Sequence, residues 1–241
     1  MTVMTELAAG ALKLGLDLSP RQLAQFQTYY RELVDWNRRV NLTAITDYRE
    51  VQLKHFLDAL TVTIAFPPAA GGPGPRLIDV GTGAGLPGLP VKIVFPRMRL
   101  VLLEATAKKA VFLDYLIQKL GLEGVEIVVG RAETVARQGP YREGFDLVLS
   151  RGVAPLPVLA ELTLPFITPD GCLVAHKKGD TAAEIAAAGR AISLLGGRLR
   201  EVRAVDLAEL ADRRHLVIVD KIAPTPPAYP RRPGMPAKKP L

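Results

Sequence analysis

The segment best suited to chemistry is a glycine-rich loop, residues 81–88, which follows a short apolar run that includes Asp79 and Val80. Its glycines let the backbone turn sharply and approach a ligand closely. Pro87 and Pro90 favour a helix start directly afterwards, where backbone N–H groups lack partners within the helix. Such a loop presents free N–H groups and the positive end of a helix to a small anionic group. The pattern predicts a cofactor cradle at the first strand-to-helix turn of an open α/β sheet.

The glycine spacing separates two kinds of cofactor. A nicotinamide-binding loop needs Gly-x-Gly-x-x-Gly; Gly81 and Gly83 fit, but Leu86 stands at the third glycine position. Asp79 would also lie unfavourably beside a pyrophosphate. The arrangement Asp-x-Gly-x-Gly-x-Gly instead resembles the first motif of S-adenosylmethionine-dependent methyltransferases, in which the loop meets an amino acid and a ribose. A dehydrogenase is therefore the poorer interpretation.

Two later strand ends carry residues that suit the same cofactor. The run 100–104 ends in Glu104, where a carboxylate accepts hydrogen bonds from the hydroxyls of a ribose. Thr106 is placed to cap the next helix. The run 125–129 leads to Ala132 and Glu133, where methyltransferases of this fold hold adenine. Taken alone, Glu104 is better explained as a solvated acid at a helix start. The glycine loop before it and Glu133 after it, at matching strand ends, favour a binding site instead.

The order of elements predicts an α/β fold of the class I S-adenosylmethionine methyltransferase type. This fold is a Rossmann-like sheet, here with a helical N-terminal extension and an antiparallel C-terminal hairpin. The predicted parts are the extension (1–66), the sheet domain (76–222) and a basic proline-rich tail (223–241), with a Gly/Pro-rich linker at 67–75. Further elements are predicted as helices beginning at Ser19 and Asp47, strands 145–150 and 172–177, a helix at 155–167, a helix capped by Asp180, and hairpin strands 198–205 and 215–221.

Composition limits the class of protein. The 241 residues carry a net charge of +7, which favours a polyanionic partner. Cys172, the only cysteine, excludes an internal disulfide and is expected in the core. No apolar run reaches the roughly 20 residues that span a bilayer, and the N-terminus lacks the features of a signal peptide. We expect a cytoplasmic monomer with no membrane partner and no metal.

The last twenty residues, 222–241, hold seven prolines, four basic residues and no acid. Such a segment is expected to form neither a helix nor a central strand. Its basic residues suit a phosphate backbone, and a disordered tail is the alternative.

Four segments carry a resemblance that covers nearly the whole chain: residues 41–45, 54–60, 79–90 and 150–156. The tail 225–234, with its sequence Thr-Pro-Pro-Ala-Tyr-Pro-Arg-Arg-Pro-Gly, is the most specific match. Together they resemble the bacterial 16S ribosomal RNA guanine-N7 methyltransferases, the RsmG family, long called glucose-inhibited division protein B. Leu86 stands where the family often has Phe, and Gly152 where it often has Ala.

The resemblance implies methyl transfer from S-adenosylmethionine to N7 of a guanine in small-subunit rRNA, guanine 527 in standard rRNA numbering. Arg151 is the expected orienting residue at the reaction centre, with no general base. Cofactor contacts are expected at Gly81, Gly83, Leu86, Glu104, Ala105, Thr106, Ala132, Glu133 and Arg151. RNA contacts are expected at Asn41, Lys54, His55, Lys177, Arg231, Arg232, Lys238 and Lys239.

Several alternatives remain open at the level of sequence. The chain could be a small-molecule methyltransferase, which would gain nothing from a basic tail, or a non-catalytic RNA-binding module, which would not need Glu104 and Glu133. His55 and Asp58, three residues apart on a helix, could simply pair with one another. Arg151 could form a salt bridge with an acid at the sheet edge, and Lys177 could be a solvated strand end.

Overall fold

The computed structural model describes residues 4–66, 74–210 and 212–241. The linker expected at 67–75 lies outside the described residues except for its last two positions.

A seven-stranded sheet forms the centre of the molecule, in the order β3-β2-β1-β4-β5-β7-β6. The first five strands pair in parallel, whereas β7 is antiparallel to both β5 and β6. The strands are β1 (Arg76–Val80), β2 (Arg99–Glu104), β3 (Val125–Val129), β4 (Phe145–Arg151), β5 (Ile167–Lys178), β6 (Gly197–Val205) and β7 (Arg214–Lys221). The strand order reverses direction between β1 and β4, and this is the point where open α/β sheets bind ligands.

Helices cover both faces of this sheet. They are α1 (Thr5–Lys13), α2 (Pro20–Val40), α3 (Tyr48–Val51), α4 (Asp58–Leu60), α5 (Val62–Ala65), α6 (Gly88–Val94), α7 (Ala107–Leu120), α8 (Ala132–Val135), α9 (Leu156–Thr163), α10 (Ala182–Leu194) and α11 (Met235–Lys238). A π-helical segment, Gln52–Leu57, connects α3 to α4, and a 3-10 turn, Leu164–Phe166, precedes β5.

The alternation of side chains along the strands divides the core into two layers. Leu100 and Leu102 of β2 point to the layer that contains the N-terminal helices, while Val101 and Leu103 point to the other layer. Phe26 and Tyr29 of α2 and Phe56 of the π-helical segment are fully buried in the first layer. The N-terminal extension is therefore a layer of the same core.

Most of the predicted elements are confirmed, with local corrections. The capping box of Ser19 and Gln22 is present, and Asp47 caps α3. The hairpin strands lie within one residue of their predicted starts, and Cys172 is buried in β5. The fifth strand is longer than predicted because Ile167, expected to end a helix, already pairs with Phe145.

Two helix starts also differ from the prediction. The residue at the start of α10 is Thr181, and Asp180 accepts a hydrogen bond from the Ala182 backbone without being the cap. Thr106 occupies the cap position of α7, but its side chain makes no cap hydrogen bond. The tail, expected to exclude helix, forms the short helix α11, because Pro236 lies in the first turn, where its missing N–H is tolerated.

Candidate functional site

The side chain of Asp79, in β1, fixes the glycine-rich loop through hydrogen bonds. Its Oδ2 accepts hydrogen bonds from Thr82 Oγ1 at 2.6 Å and from the Gly88 backbone N–H at 2.8 Å, at the two ends of the loop. Burial raises the pKa of Asp79 to about 6, against the opposing effect of these two hydrogen bonds. From the N-terminal layer, Tyr29 donates a 2.6 Å hydrogen bond to the Ala84 carbonyl. Asp79 thus shapes the loop from within the fold.

Three glycines of this loop, Gly81, Gly83 and Gly85, have a positive φ, which favours glycine. Gly81 has a φ of 75°, and an added Cβ would lie 2.5 Å from a methyl carbon of Val153. Gly83 has a φ of 60°, and an added Cβ would meet no described atom within 4 Å. The backbone at Gly83 is therefore open to a ligand.

Glu104 links the glycine loop to the end of β2. Its Oε2 accepts from the Gly83 N–H at 2.9 Å, and its Oε1 accepts from the Thr106 N–H at 2.8 Å. An ionised carboxylate has about four acceptor positions, so both oxygens retain capacity for further donors such as ribose hydroxyls. The Thr106 contribution is a backbone N–H rather than the expected side-chain cap.

A cavity of about 210 Å³ opens above the carboxyl ends of β1, β2 and β3. Four of the expected cofactor contacts line it, namely Gly81, Ala105, Ala132 and Glu133. Leu86 is instead packed in the core layer of the N-terminal helices. The outer wall of the cavity includes Pro236 and Ala237 of the tail. We call this space the first cavity.

A second cavity, of about 420 Å³, lies beyond the end of β4. It is lined by Ile45, Lys54, His55, Asp58, Arg151, Gly152, His176, Lys177, Lys178 and Arg214. Consecutive residues of one loop line both spaces: Arg151 and Gly152 face the second cavity, whereas Val153 and Ala154 face the first. The loop that follows β4 therefore lies between the two cavities and lines both of them.

Asp58 connects the two arginines of the second cavity. Its Oδ2 lies 2.8 Å from Arg151 Nη1, and its Oδ1 lies 3.0 Å from Arg214 Nε. Burial alone would raise the pKa of Asp58, but His176 and the two arginines hold it below the ordinary value. The alternative for Arg151, a salt bridge to an acid, is therefore present, but the acid lies on α4 rather than at the sheet edge. The salt bridge fixes the guanidinium at the cavity wall.

Both histidines of the second cavity are neutral near pH 7. Burial, together with the charge of Arg151, lowers the pKa of His55 to about 4. Burial likewise lowers the pKa of His176 to about 4, although Asp58 opposes this shift. The His55 ring lies 2.7 Å from Thr43 Oγ1 through Nε2, so its partner is Thr43, and not Asp58 as in the alternative left open by the sequence.

His176 has one ring nitrogen without a partner. Its Nε2 lies 3.0 Å from the Asp58 carbonyl oxygen, a geometry that assigns the ring proton to Nε2. Nδ1 is then an acceptor, and it is buried with no hydrogen-bond partner among the described residues. A buried acceptor without a donor is costly unless a ligand or water supplies one.

The other expected RNA contacts divide into paired and exposed residues. Lys177 Nζ is 2.8 Å from the Ala154 carbonyl oxygen and also pairs with Glu184, so this lysine supports the loop after β4 rather than ending free in solvent. Lys54 pairs with Glu50 at 2.6 Å at the mouth of the second cavity. Asn41 ends α2 in a left-handed conformation and is exposed.

In the tail, one of the four expected RNA contacts has a different partner in the structure. Arg231, expected to meet RNA, forms an ion pair with the buried Glu161 at 2.6 Å. Arg232, Lys238 and Lys239 are exposed, as a phosphate contact requires. The disordered alternative does not describe this segment, which is bonded to the sheet domain along its length.

Sequence reasoning missed Arg214, His176 and the bridging role of Asp58. The strand register explains their meeting, because His176 pairs with Arg151 across β4 and β5, and Arg214 pairs with Lys178 across β5 and β7. Arg214 was predicted one residue outside its strand, so its position at the site edge depended on a hairpin register that the sequence pattern does not fix.

The strand order, the switch point and the carboxylates at the ends of β2 and β3 define a class I S-adenosylmethionine methyltransferase. Solved structures agree on the fold. The chain is similar to TrmN from Thermus thermophilus, with a TM-score of 0.53 and 18% identity over 69% of this chain and 49% of that one. It is also similar to a mutant 16S rRNA (adenine(1408)-N(1))-methyltransferase from Catenulisporales acidiphilia with the cosubstrate SAM, with a TM-score of 0.51 and 16% identity over 63% of this chain and 87% of that one.

Sequence comparison identifies the family. A family model described as GidB, rRNA small subunit methyltransferase G, matches residues 22–217. The Ribosomal RNA small subunit methyltransferase G of Dehalococcoides mccartyi is 52% identical over 99% of this chain and 100% of its own length. That of Moorella thermoacetica is 47% identical over 98% of this chain and 97% of its own length. The chain belongs to the rRNA small subunit methyltransferase G family, and its cofactor is S-adenosylmethionine.

Proposed function

We propose that this protein methylates N7 of a guanine in 16S rRNA, at guanine 527 in standard rRNA numbering. The observation that carries the proposal is that one loop, residues 151–154, lines both cavities. One cavity has the features of a cofactor site, and the other has a cationic wall suited to a nucleotide. The names of the relatives, which refer to small-subunit rRNA, support the same substrate.

The first cavity is proposed to bind the cofactor through the loop, the end of β2 and the end of β3. Glu104 would accept hydrogen bonds from the ribose, and Glu133 would accept one from the adenine amino group. Gly83 allows the ligand to approach the backbone closely. When bound, S-adenosylmethionine supplies an electrophilic methyl group on a sulfonium centre. The protein's task is to hold that end next to the loop after β4.

The second cavity is proposed to receive the target guanine. Guanine N7 carries a free lone pair, so its methylation requires no removal of a proton at the reacting atom. Asp58, the only carboxylate on the described lining, is held by Arg151 and Arg214 and has a lowered pKa, which makes it a poor general base. Orientation is then the main contribution, and it can supply up to about 7–11 kcal/mol.

Arg151 is the residue proposed to orient the reaction. Its Nη1 contacts both Asp58 Oδ2 and the Lys54 carbonyl oxygen, so one edge of the guanidinium is fixed. A fixed planar guanidinium can stack on a base or bind a carboxylate in a defined direction. The neutral His176 offers Nδ1 as an acceptor for a donor on the guanine.

RNA is proposed to bind along polar and basic side chains around these cavities. Lys54 and Asn41 lie on the N-terminal side, and Arg232, Lys238 and Lys239 lie on the tail. The partner would be the small ribosomal subunit or its 16S rRNA, met by a monomer in the cytoplasm. Among the residues that the structure describes, no helix is both long and apolar enough to cross a membrane.

Mass mapping of rRNA from cells with and without this gene tests the proposal. We expect one guanine-containing fragment of 16S rRNA to lack one methyl group when the gene is absent. Re-expression of the native chain should restore the fragment. An unchanged rRNA map, with cofactor binding intact, would instead favour a small-molecule methyltransferase.

A further inference from the structure

Most of the tail, residues 225–241, is hydrogen-bonded to the domain that carries the cofactor site, and we call this segment the C-terminal strap. Arg142 donates hydrogen bonds to the carbonyl oxygens of Thr225 and Tyr229, at 2.8 and 2.9 Å. Arg137 donates to the Pro230 carbonyl oxygen, at 2.9 Å through Nε. Both arginines follow α8, the helix that contains Glu133. The strap is therefore fastened to the same segment that forms the β3 side of the first cavity.

A buried ion pair fixes the middle of the strap. Arg231 donates from Nε and Nη2 to the two oxygens of Glu161, at 3.0 and 2.6 Å, and its backbone N–H donates to Oε1 at 2.6 Å. The Glu161 side chain is only 1% exposed. A bidentate arginine–carboxylate pair of this kind is strongly directional. It sets the position from which the last residues of the strap reach the cavity.

The end of the strap contacts the cofactor cavity itself. The Gly234 N–H donates to Glu133 Oε1 at 2.9 Å, and Pro236 and Ala237 form part of the cavity wall. Arg131 also approaches Oε1, at 3.4 Å, whereas Oε2 has no hydrogen-bond donor within the described residues. One oxygen of Glu133 thus holds the strap, and the other is left for a ligand.

We propose that the C-terminal strap is the outer wall of the adenine side of the cofactor site, so that strap docking and cofactor binding stabilise each other. This inference rests on the proposed cofactor site. Without the strap, Glu133 would be open to water and the apolar wall at Pro236 would be lost. Because coupling between two binding events is reciprocal, the bound cofactor should also hold the strap in place.

The test is a chain that ends at Arg231, which keeps the ion pair with Glu161 but lacks residues 232–241. Its matched control is the full chain with Arg232→Gln, Lys238→Gln and Lys239→Gln, which loses the exposed charges but keeps the wall. Calorimetry with S-adenosylhomocysteine should give at least about tenfold weaker binding for the truncated chain and unchanged binding for the control. Equal affinity for the truncated and full chains would overturn the strap proposal.

Amide hydrogen exchange on the full native chain provides a second measurement, which stands even if the truncated chain fails to fold. Saturation with S-adenosylhomocysteine should slow exchange at Gly234 and Ala237. Unchanged exchange there, with the ligand bound, would contradict the coupling. Failure of the full chain to bind S-adenosylhomocysteine at all would overturn the proposed cofactor site instead.

Discussion

At the scale of single residues, Glu104 combines two tasks, since it fixes the glycine loop and is proposed to bind the ribose. Glu104→Ala removes a charged acceptor whose hydrogen bonds are worth about 1.5–3 kcal/mol each. Calorimetry should show S-adenosylmethionine binding at least about tenfold weaker. Glu123→Ala, which changes an exposed acid before the amino end of β3, is the control and should bind as the parent does. Equal binding by the Glu104 variant would remove this carboxylate from the site.

The test of Arg151 must separate catalysis from folding, because its salt bridge with Asp58 gives this residue a structural role as well. Lysine keeps the charge but lacks the planar fork. Arg151→Lys should therefore fold normally and bind the cofactor, yet slow single-turnover methylation of small subunits by about 100-fold, the cost of a misplaced reactant.

The control for this variant is Arg198→Lys, an arginine whose side chain is 67% exposed on β6. It should retain the parent rate. Thermal melting of both variants separates the two roles of Arg151. A normal rate, or a loss of rate that only follows unfolding, would refute a direct part for Arg151.

At the scale of elements, we expect the exposed cations of the tail to contribute to RNA binding but not to cofactor binding. Neutralising Arg232, Lys238 and Lys239 together should flatten the dependence of log K for RNA on log salt by up to about 2, at roughly 0.7 per phosphate contact. The change should come without loss of cofactor affinity. A filter-binding series over salt concentration measures it, and an unchanged slope would mean that these residues do not contact RNA.

The strands and most helices could be predicted because their signals are local. The capping box at Ser19 and the apolar runs of β1 and β2 depend on neighbours in sequence. The docking of the tail could not be predicted in this way. The tail is bound by Arg137, Arg142 and Glu161, which are distant from it in sequence. No sequence pattern marks these residues as its partners.

The same difference between local signals and long-range contacts applies to the candidate site. Gly81, Ala105 and Glu133 lie at strand ends, and parallel strands bring such positions to one edge of the sheet. Arg214 and His176 reach the second cavity through the register of the strands that carry them. Leu86 was expected at the cofactor, but its direction depends on how the loop packs against the N-terminal helices.

At the scale of the whole molecule, the buried histidines should make stability depend on pH. The pKa of His176 falls from 6.5 unfolded to about 4 in the fold, because burial disfavours its charged form. Between these values the unfolded chain binds more protons, so the free energy of unfolding decreases as pH falls. His55 acts in the same direction. Asp79 opposes them, since its raised pKa of about 6 favours proton binding by the folded state.

Urea unfolding at pH 7 and pH 5 measures this effect. His176→Gln keeps an amide donor for the Asp58 carbonyl but cannot titrate. The native chain should lose about 1–2 kcal/mol more stability than the variant between the two pH values. Equal losses would show that His176 does not contribute to the acid sensitivity.

The central claim is that one molecule holds the cofactor and a guanine on the two sides of the loop after β4. The most direct test incubates the purified chain with unmodified small subunits and S-adenosylmethionine labelled in its methyl group. Reduction with borohydride followed by aniline cleavage, which cuts RNA at N7-methylguanine, then locates the methylated base. We expect a single cleavage in 16S rRNA, which is weaker with Glu104→Ala at a limiting cofactor concentration. Label on an exocyclic amine, a ribose or another base, or no transfer by a chain that binds both partners, would contradict the account.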